Sequence, residues 1–507
     1  MIEVQSRSAL ATVQDLGRSG ALRWGVGTSG AMDPMALAAG NLLLGNATTA
    51  AAVEIQVFPF QFAFLQDCTF ALTGADTAAR LDDQVVLPWW RTCARAGQVL
   101  RLGTPRQGAW CGSRAYLCVA GGIDVPQVLG SRSTQLRGAF GGLEGRTLRE
   151  GDRLAFGGPE SQDQSPMACR LEGLTEPGFG LCPAALAMPL THEGLPAVRV
   201  LPAAEYERFT EASREAFWAQ PWRITHQSDR YGYRLQGPGI EATTPMELRS
   251  HGIVPGVIQV PPGGQPIVQM RDAQPSGGYP KIGTVIEADL WRLGQAPIGS
   301  SVRFVRTTWQ EAVNALEVHQ RWLTDVRRKV SLWNSSSTRH ARVLRAPAHD
   351  LRGRQKTPHA KSDLLASWLA ATDIDRLDFS GPDGECHLVN RAGKVSHALT
   401  RHEPSADLTG PARTELVRAP SLGTFLHCHP LQAAPLARPG RHLVAGEVWG
   451  LLQVGALLTP VVAPQDCTLG TLLVAHGAVV GFGEPLAEVR PTSPVRATAT
   501  LSDTTTG

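Results

Sequence analysis

Apolar positions in the first 157 residues fall in short runs of strand length. AVEIQV (52–57), FQFAF (60–64), TFAL (69–72), VVL (85–87), VLRL (99–102) and AYLCV (115–119) are separated by segments rich in glycine, proline and other turn residues. Runs this short with breakers between them predict strands. A further strand opens the chain near residue 2. One stretch has helical character instead: Asp33 is a natural N-cap and Pro34 a natural first helical residue, so a helix is expected over 35–44, stopping at Gly45-Asn46. Many short strands with one or two helices predict a barrel-like β unit over 1–197, its last part (158–195) a pattern-poor connection rich in Pro, Gly and Ser.

A second unit is expected over 198–333. It opens with a strand at 198–201 and a helix at 206–218, where Phe209, Ala212, Ala216 and Phe217 share one stripe. A turn carrying both charge signs follows at 228–233. Ile267, Val268 and Met270 read as a buried strand, and 302–305 as a closing one. The amphipathic stretch 309–333 predicts a long helix packed back onto the β unit. Residues 334–361 read as a linker: seven basic residues against one acid, with a run of serines, suit a solvated tether better than a nucleic-acid tail. In 362–507 a short helix is expected at 362–371, a hairpin at 372–389 around 381–384, and a flexible stretch at 390–413. Residues 415–491 contain a repeat. Ala419-Pro420 with Gly423-Thr424 recurs as Ala463-Pro464 with Gly470-Thr471, each copy at a strand start. Two half-barrels would share one apolar face, with a hairpin turn at Gly455-Ala456 between Leu451-Leu452 and Leu457-Leu458.

Composition narrows the functional classes. A length of 507 residues suits two to four domains, and 53 glycines with 36 prolines but only 6% aromatics suit a β-rich, turn-rich chain. A net charge of +3 points to neither nucleic acid nor a membrane surface. The nine cysteines are scattered without ligand spacing and no leader pattern precedes them, so a cytoplasmic, reducing compartment is expected. No apolar run is long enough for a membrane span. His427 and His429 read as surface histidines, and no metal site is expected.

The densest candidate chemistry lies in 255–286, PGVIQVPPGGQPIVQMRDAQPSGGYPKIGTVI. Gly263-Gly264 and Gly277-Gly278 are loop tips where backbone can approach a ligand. Gln259, Gln265, Gln269, Arg271, Asp272 and Gln274 cluster on and beside the intervening strand. Lys281 is the first lysine of the chain, and only five of its 48 basic residues are lysine. A compact ammonium, rather than a planar fork, is therefore the distinctive group here.

Seven blocks carry a resemblance: TVQDLGR (12–18), GVGTSGAMDP (25–34), LTGAD (72–76), VAGGIDVPQVLGSRST (119–134), GGLEGR (141–146), SDRYGYRL (228–235) and the stretch 255–286. In order over about residues 1–310, they resemble the KipA-like family, which includes the C subunit of 5-oxoprolinase and is also called allophanate hydrolase subunit 2 or biotin-dependent carboxyltransferase. The resemblance implies a mainly β fold with two cyclophilin-like β-barrel subdomains. It implies ATP-dependent opening of 5-oxo-L-proline to L-glutamate. The partners it implies are a KipI-like protein, the B component, and a YcsF/LamB-like protein, the A component. The family also offers carboxyl transfer from carboxybiotin to urea or a similar amide, served by a separate biotin carrier, and a non-enzymatic role in binding a KipI-like kinase inhibitor. Either chemistry needs cations and backbone amides for developing charge and a carboxylate to orient water. Lys281 and Arg271 fit the first need and Asp272 the second. Gln259, Gln265, Gly277, Gly278 and Tyr279 are the substrate-binding candidates of the second unit, and Asp15, Arg18, Ser29 and Arg132 those of the first. Ser133 and Asp33 also match family blocks, Asp33 more naturally as a cap. No Walker-type loop is present, so ATP contacts are expected largely on partner proteins.

Residues 362–507 resemble a biotin carboxyl carrier protein, with a biotinyl/lipoyl-like β-sandwich. The family's Glu-Ala-Met-Lys-Met turn aligns with Gln453, Val454, Gly455, Ala456 and Leu457, and no lysine follows Lys394. Ala456 stands where the biotinylated lysine would be, so covalent biotin is not expected. The intact chain from biotin-fed cells should weigh its unmodified 54.2 kDa by mass spectrometry; a biotin-sized increase on the C-terminal part would refute the argument.

Overall fold

A computed structural model describes residues 1–6, 10–106, 112–157, 178–246, 248–344, 376–381, 384–391, 394–400 and 414–492. They divide into two compact units, Met1–Trp333 with Thr414–Gly507, and Asn334–Arg413. The fold is mainly β.

In the first unit, two sheets face each other over residues 1–157. One contains Ile2–Val4, Phe60–Phe64, Val99–Leu102 and Arg153–Phe156; the other contains Ala11–Gln14, Ala52–Ile55, Ala115–Val119, Cys68–Gly74 and Trp90–Ala94. Period-two alternation sends Phe60, Phe62 and Phe64 from one side, and Val53, Ile55, Phe70, Leu72 and Leu117 from the other, into a common core. The second sheet is also covered on its outer face, by helix Pro34–Leu44. Asp33 caps that helix through Ala36 N at 2.9 Å, and Gly45 ends it in a left-handed conformation (φ 76). Both caps are those expected from the sequence. Because both faces of Ala52–Ile55 are buried, Glu54 lies inside the protein.

The second barrel closes. Strands run in the order Leu195–Pro202, Lys281–Val285, Val257–Gln259, Ile267–Gln269, Gly232–Gln236, Trp222–Ile224 and Ser301–Arg306, and the last pairs in parallel with the first. Its core holds Phe217, Trp222, Tyr233, Val268 and Phe304.

Several elements differ from expectation. Helix 206–218 shortens to Glu211–Ala219, because extended Phe209 breaks the chain and Thr210 recaps it through Ser213 N. Helix Glu287–Gln295 was not expected; its Asp289 is held by Arg199 at 2.8 Å, a tertiary contact invisible to local periodicity. The connection 158–195 contains a sheet strand, Phe179–Leu181. The long helix spans Trp309–Leu344, running into the expected linker, since residues 334–344 contain neither glycine nor proline to stop it.

In the smaller unit, Arg376–Gly381, Gly384–Arg391 and Lys394–Thr400 form an antiparallel meander, so a third strand lies in the stretch expected to be flexible. The helix expected at 362–371 lies outside the described residues.

Residues 414–492 belong to the larger unit. Glu415–Arg418, Pro485–Pro491, Cys467–Leu472 and His442–Leu443 form one sheet. Gly423–Leu426, Val448–Val454, Leu457–Val462 and Val479–Val480 lie in the other, and Phe425, Trp449, Leu469 and Leu486 fill the space between. The hairpin turns at Gly455-Ala456, as expected. The second of these sheets is continuous with the first barrel: Leu457–Val462 pairs with Phe179–Leu181, which pairs with Trp90–Ala94. Among the described residues no helix is long and apolar enough to cross a membrane.

Trp222 is fully buried and packs near Phe217 and Phe304. Replacing Trp222 by Ala should cost about 3–5 kcal/mol, read as a lower urea midpoint; a loss below about 1 kcal/mol would show that the barrel core is not packed as described.

Candidate active site

The two barrels meet on a buried ion network. Arg230 emerges from the charged turn before strand Gly232–Gln236. Its guanidinium makes a fork to Asp272, Nε to Oδ2 at 3.0 Å and a terminal nitrogen to Oδ1 at 3.1 Å. It reaches into the first barrel to donate to Glu54 and to the carbonyl of Gly30 at 2.6 Å. Arg114 lies 3.8 Å from the same Glu54 and donates to Tyr233 Oη at 2.9 Å. Glu54 also accepts from Tyr116 Oη and from Met32 N, each at 2.8 Å. Fork geometry makes Arg–carboxylate pairs strong, and burial makes each partner indispensable to the others.

Burial alone would raise the Glu54 pKa, but Arg230 and Arg114 overcome it and hold the carboxyl below its usual range. Asp33 lies nearby without a cation of its own. Burial pushes it up to about 6, although the Ala36 amide and Gln295 favour its charged form.

Beside this network a cavity of about 140 Å³ is lined by Thr12, Glu54, Arg137, Arg230, Tyr231 and Asp272, among others. This is below the roughly 300–1,000 Å³ of pockets that hold drug-sized molecules, so it suits a small ligand. Arg137 stacks over Tyr231 at 3.9 Å.

A second polar cluster lies in the second barrel. Lys281 begins its strand beside Gln259, with which it is in register. It pairs with Glu205 at 3.2 Å and contacts His251 Nε2. Gln269 donates to Gln259 Oε1 at 2.9 Å. Gln259 and Gln269 are 2% and 4% exposed, yet Gln259 Nε2 and Gln269 Oε1 have no hydrogen-bond partner among the described residues. Flipping both amides leaves the same count, one donor and one acceptor unmet. Gly277 lies against this pair: a Cβ there would sit 2.5 Å from Gln259 Nε2.

The sequence-derived candidates therefore divide among several places. Asp272 joins the inter-barrel network, with both oxygens engaged by Arg230. Arg271 turns to Glu287 at 2.6 Å, and its carbonyl faces Thr28. Lys281, Gln259 and Gly277 come together, while Gly278 packs on the backbone of Leu248 and Tyr279 is exposed. Gln265 is spent on both backbone groups of Gly237, at 3.0 and 3.2 Å.

In the first barrel, Asp15 accepts from Ser131, Arg132 N, Ser133 and Gly17 N, which makes it the organiser of the GSRST loop. Arg18 donates to Ser133 O at 2.6 Å and stacks on Phe140. Arg132 reaches Val125 O and Asp124. Ser29 is buried at the seam with its hydroxyl unpaired. Glu54, Arg114, Arg230, Glu205 and His251 were not anticipated. The available signal was Glu54, a charge at an inward position of an otherwise apolar run.

Arg230→Met leaves two buried carboxylates without their shared cation, which should cost about 3–5 kcal/mol. The loss should depend on pH. In the native protein Glu54 has a depressed pKa, so its contribution is full above the unfolded carboxyl pKa and fades as pH falls. In the variant only Arg114, Tyr116 and the Met32 amide oppose burial, so the Glu54 pKa moves up and stability gains less as pH rises. Denaturant melts should show a smaller deficit near pH 5 than near pH 7; a pH-independent deficit would refute the linkage.

The comparisons give this arrangement a family. Residues 24–306 match the model described as "Carboxyltransferase domain, subdomain A and B". The C subunit of 5-oxoprolinase from Escherichia coli (strain K12) is 45% identical over 322 residues, 64% of this chain and 96% of that protein. The corresponding C subunit of Haemophilus influenzae is 41% identical over 330 residues, 65% of this chain and 99% of that protein. Among solved structures, the K. lactis urea amidolyase superposes with a TM-score of 0.57 at 29% identity, covering 64% of this chain and 20% of that one. A match over more than half the chain and near-complete coverage of these two relatives place this chain in the carboxyltransferase subdomain A and B family, alongside the C subunit of 5-oxoprolinase.

Proposed function

We propose that this chain is the C-type component of an ATP-dependent 5-oxoprolinase. It would open 5-oxo-L-proline to L-glutamate together with a KipI-like protein, the B component, and a YcsF/LamB-like protein, the A component. The observation that carries the reading is 45% identity covering 96% of a protein named as the C subunit of 5-oxoprolinase. A lactam is a poor electrophile. Transfer of the γ-phosphoryl group of ATP to the lactam oxygen, with ADP leaving, makes its carbon reactive. Water then adds, the ring C–N bond breaks, and the nitrogen takes a proton to become the α-amine. A second water releases phosphate from the resulting acyl phosphate.

We assign lactam recognition to the second-barrel cluster. The unmet donor of Gln259 and the unmet acceptor of Gln269 complement the C=O and N–H that a lactam presents side by side. Lys281 and His251 are the groups for the substrate carboxylate. Asp272 pairs with Arg230 and Arg271 with Glu287; Lys281, paired with Glu205, is the cation that lies in register with Gln259 and serves this reading. ATP is assigned to the assembled complex.

The likeness to urea amidolyase supports a second reading, carboxyl transfer from a separate biotin carrier to an amide. The matched region is 17% of the S. cerevisiae urea amidolyase, against nearly all of the E. coli 5-oxoprolinase component, which favours the first.

Mixing the chain with its A and B partner components, ATP and 5-oxoproline should release glutamate and phosphate in equal amounts. Lys281→Ala should lower kcat/KM by about 10–100-fold, mostly through KM, as expected for one charge-assisted contact. Unchanged kinetics would remove Lys281 from the site. No glutamate, but bicarbonate-dependent turnover with a biotinylated carrier, would replace the first reading by the second.

A further inference from the structure

We propose that the C-terminal β unit is a fixed part of the first barrel, docked by intramolecular strand addition that buries residue 456 of its hairpin turn, so that it cannot act as a swinging carrier. The proposal stands on contacts and is independent of the reaction assigned above.

Strand Leu457–Val462 adds to the edge strand Phe179–Leu181, with Gly180 opposite Leu458 and Leu181 opposite Leu457. The ladder continues past the strand end: Cys182 N donates to Ala456 O at 2.7 Å. The side chains beneath form a shared apolar cluster, Leu87 and Trp90 from the barrel with Leu426, Leu451 and Leu458 from the C-terminal unit. Gln432 adds a hydrogen bond to Asp76 at 3.1 Å.

At the turn, Gly455 stays exposed but the position aligned with the missing lysine is enclosed. Ala456 and Leu457 are each 7% exposed and belong to one cluster with Val326 and Val330 of the long helix. Gly455 lies against the same helix, where a Cβ would sit 2.0 Å from Lys329 Nζ. Acylation of a turn lysine by a separate enzyme, and delivery of the attached group elsewhere, both require a turn that projects into solvent. Here residue 456 faces barrel and helix. The missing lysine and the burial of residue 456 are thus two observations with one meaning. The docked strand also closes the barrel edge to hairpins from other chains. A biotin carrier serving this chain would have to meet a different surface.

Hydrogen–deuterium exchange on the full chain tests this, read by mass spectrometry with fragmentation fine enough to isolate the Cys182 amide. Among the described residues that N–H bonds across the interface, to Ala456 O. It should exchange about 100-fold or more slowly than an exposed amide, in the range of the interior strand amide of Leu117. Exchange of Cys182 within tenfold of an unstructured peptide, with Leu117 still protected, would show a mobile unit and overturn the proposal. In Leu87→Asp, which puts a charge into the shared cluster, Cys182 exchange should rise at least tenfold while Leu117 stays protected. An unchanged Cys182 in that variant would overturn the assignment of docking to this patch.

Discussion

The junction of the two barrels is centred on Arg230, with Arg114, Gln295 and Thr28 adding contacts around it. One guanidinium satisfies Asp272 from its own barrel, and Glu54 and the Gly30 carbonyl from the other. A cation buried to this degree is tolerated only when each donor finds an acceptor in good geometry. The two barrels must therefore sit in one relative position, fixed to within hydrogen-bond tolerance. The loop 25–34 owes its shape to this requirement. It presents the Gly30 carbonyl to Arg230 and the Met32 amide to Glu54, and then starts the helix whose Asp33 cap is tied to Gln295 at 2.8 Å. Helix Glu287–Gln295 is thereby connected to the same centre, as are Tyr116 and Tyr233 through Glu54 and Arg114.

Such a centre shapes what a site beside it can do. The charges in it are compensated before any ligand arrives, so they set a fixed field and rigid walls without themselves being free to bind. In the second barrel two adjacent glutamines leave one donor and one acceptor unused, with Gly277 against Gln259. Rigid support with a few unpaired polar atoms is the arrangement expected where a small polar ligand is recognised by shape and hydrogen bonding.

Local pattern revealed strands and caps well, because alternation and end signals are written within a few residues. Val99–Leu102, Ala115–Val119, the Asp33 cap and the Gly455-Ala456 turn were legible for that reason. What was not legible arises from distant partners. Helix Glu287–Gln295 depends on Arg199 holding Asp289, and strand Phe179–Leu181 is defined by neighbours on both sides rather than by its own three residues. Lys281, Gln259 and Gly277 come together because they lie on adjoining strands of one short segment. Asp15, Arg18 and Arg132 were singled out through the family blocks that contain them. Their polarity also serves the loop: Asp15 and Arg18 both bind the Ser131–Ser133 segment. Glu54 and Arg230 escaped because their importance exists only as a pair, and their positions are separated by most of the two barrels.

The sheet shared by the first barrel and the C-terminal unit also bears on how the chain is made. Its joining ladder, Gly180 to Leu458, connects positions roughly 280 residues apart, and contacts of such span form late because loop closure must be completed before they can contribute. During synthesis the first barrel emerges with Phe179–Leu181 as an unpaired edge and with Leu87 and Trp90 uncovered, and it stays so until the last unit leaves the ribosome. An open edge beside apolar side chains is a template for pairing between nascent chains. The final hundred residues therefore act on the first two hundred as a built-in chaperone would, ending a period of vulnerability that begins long before they exist.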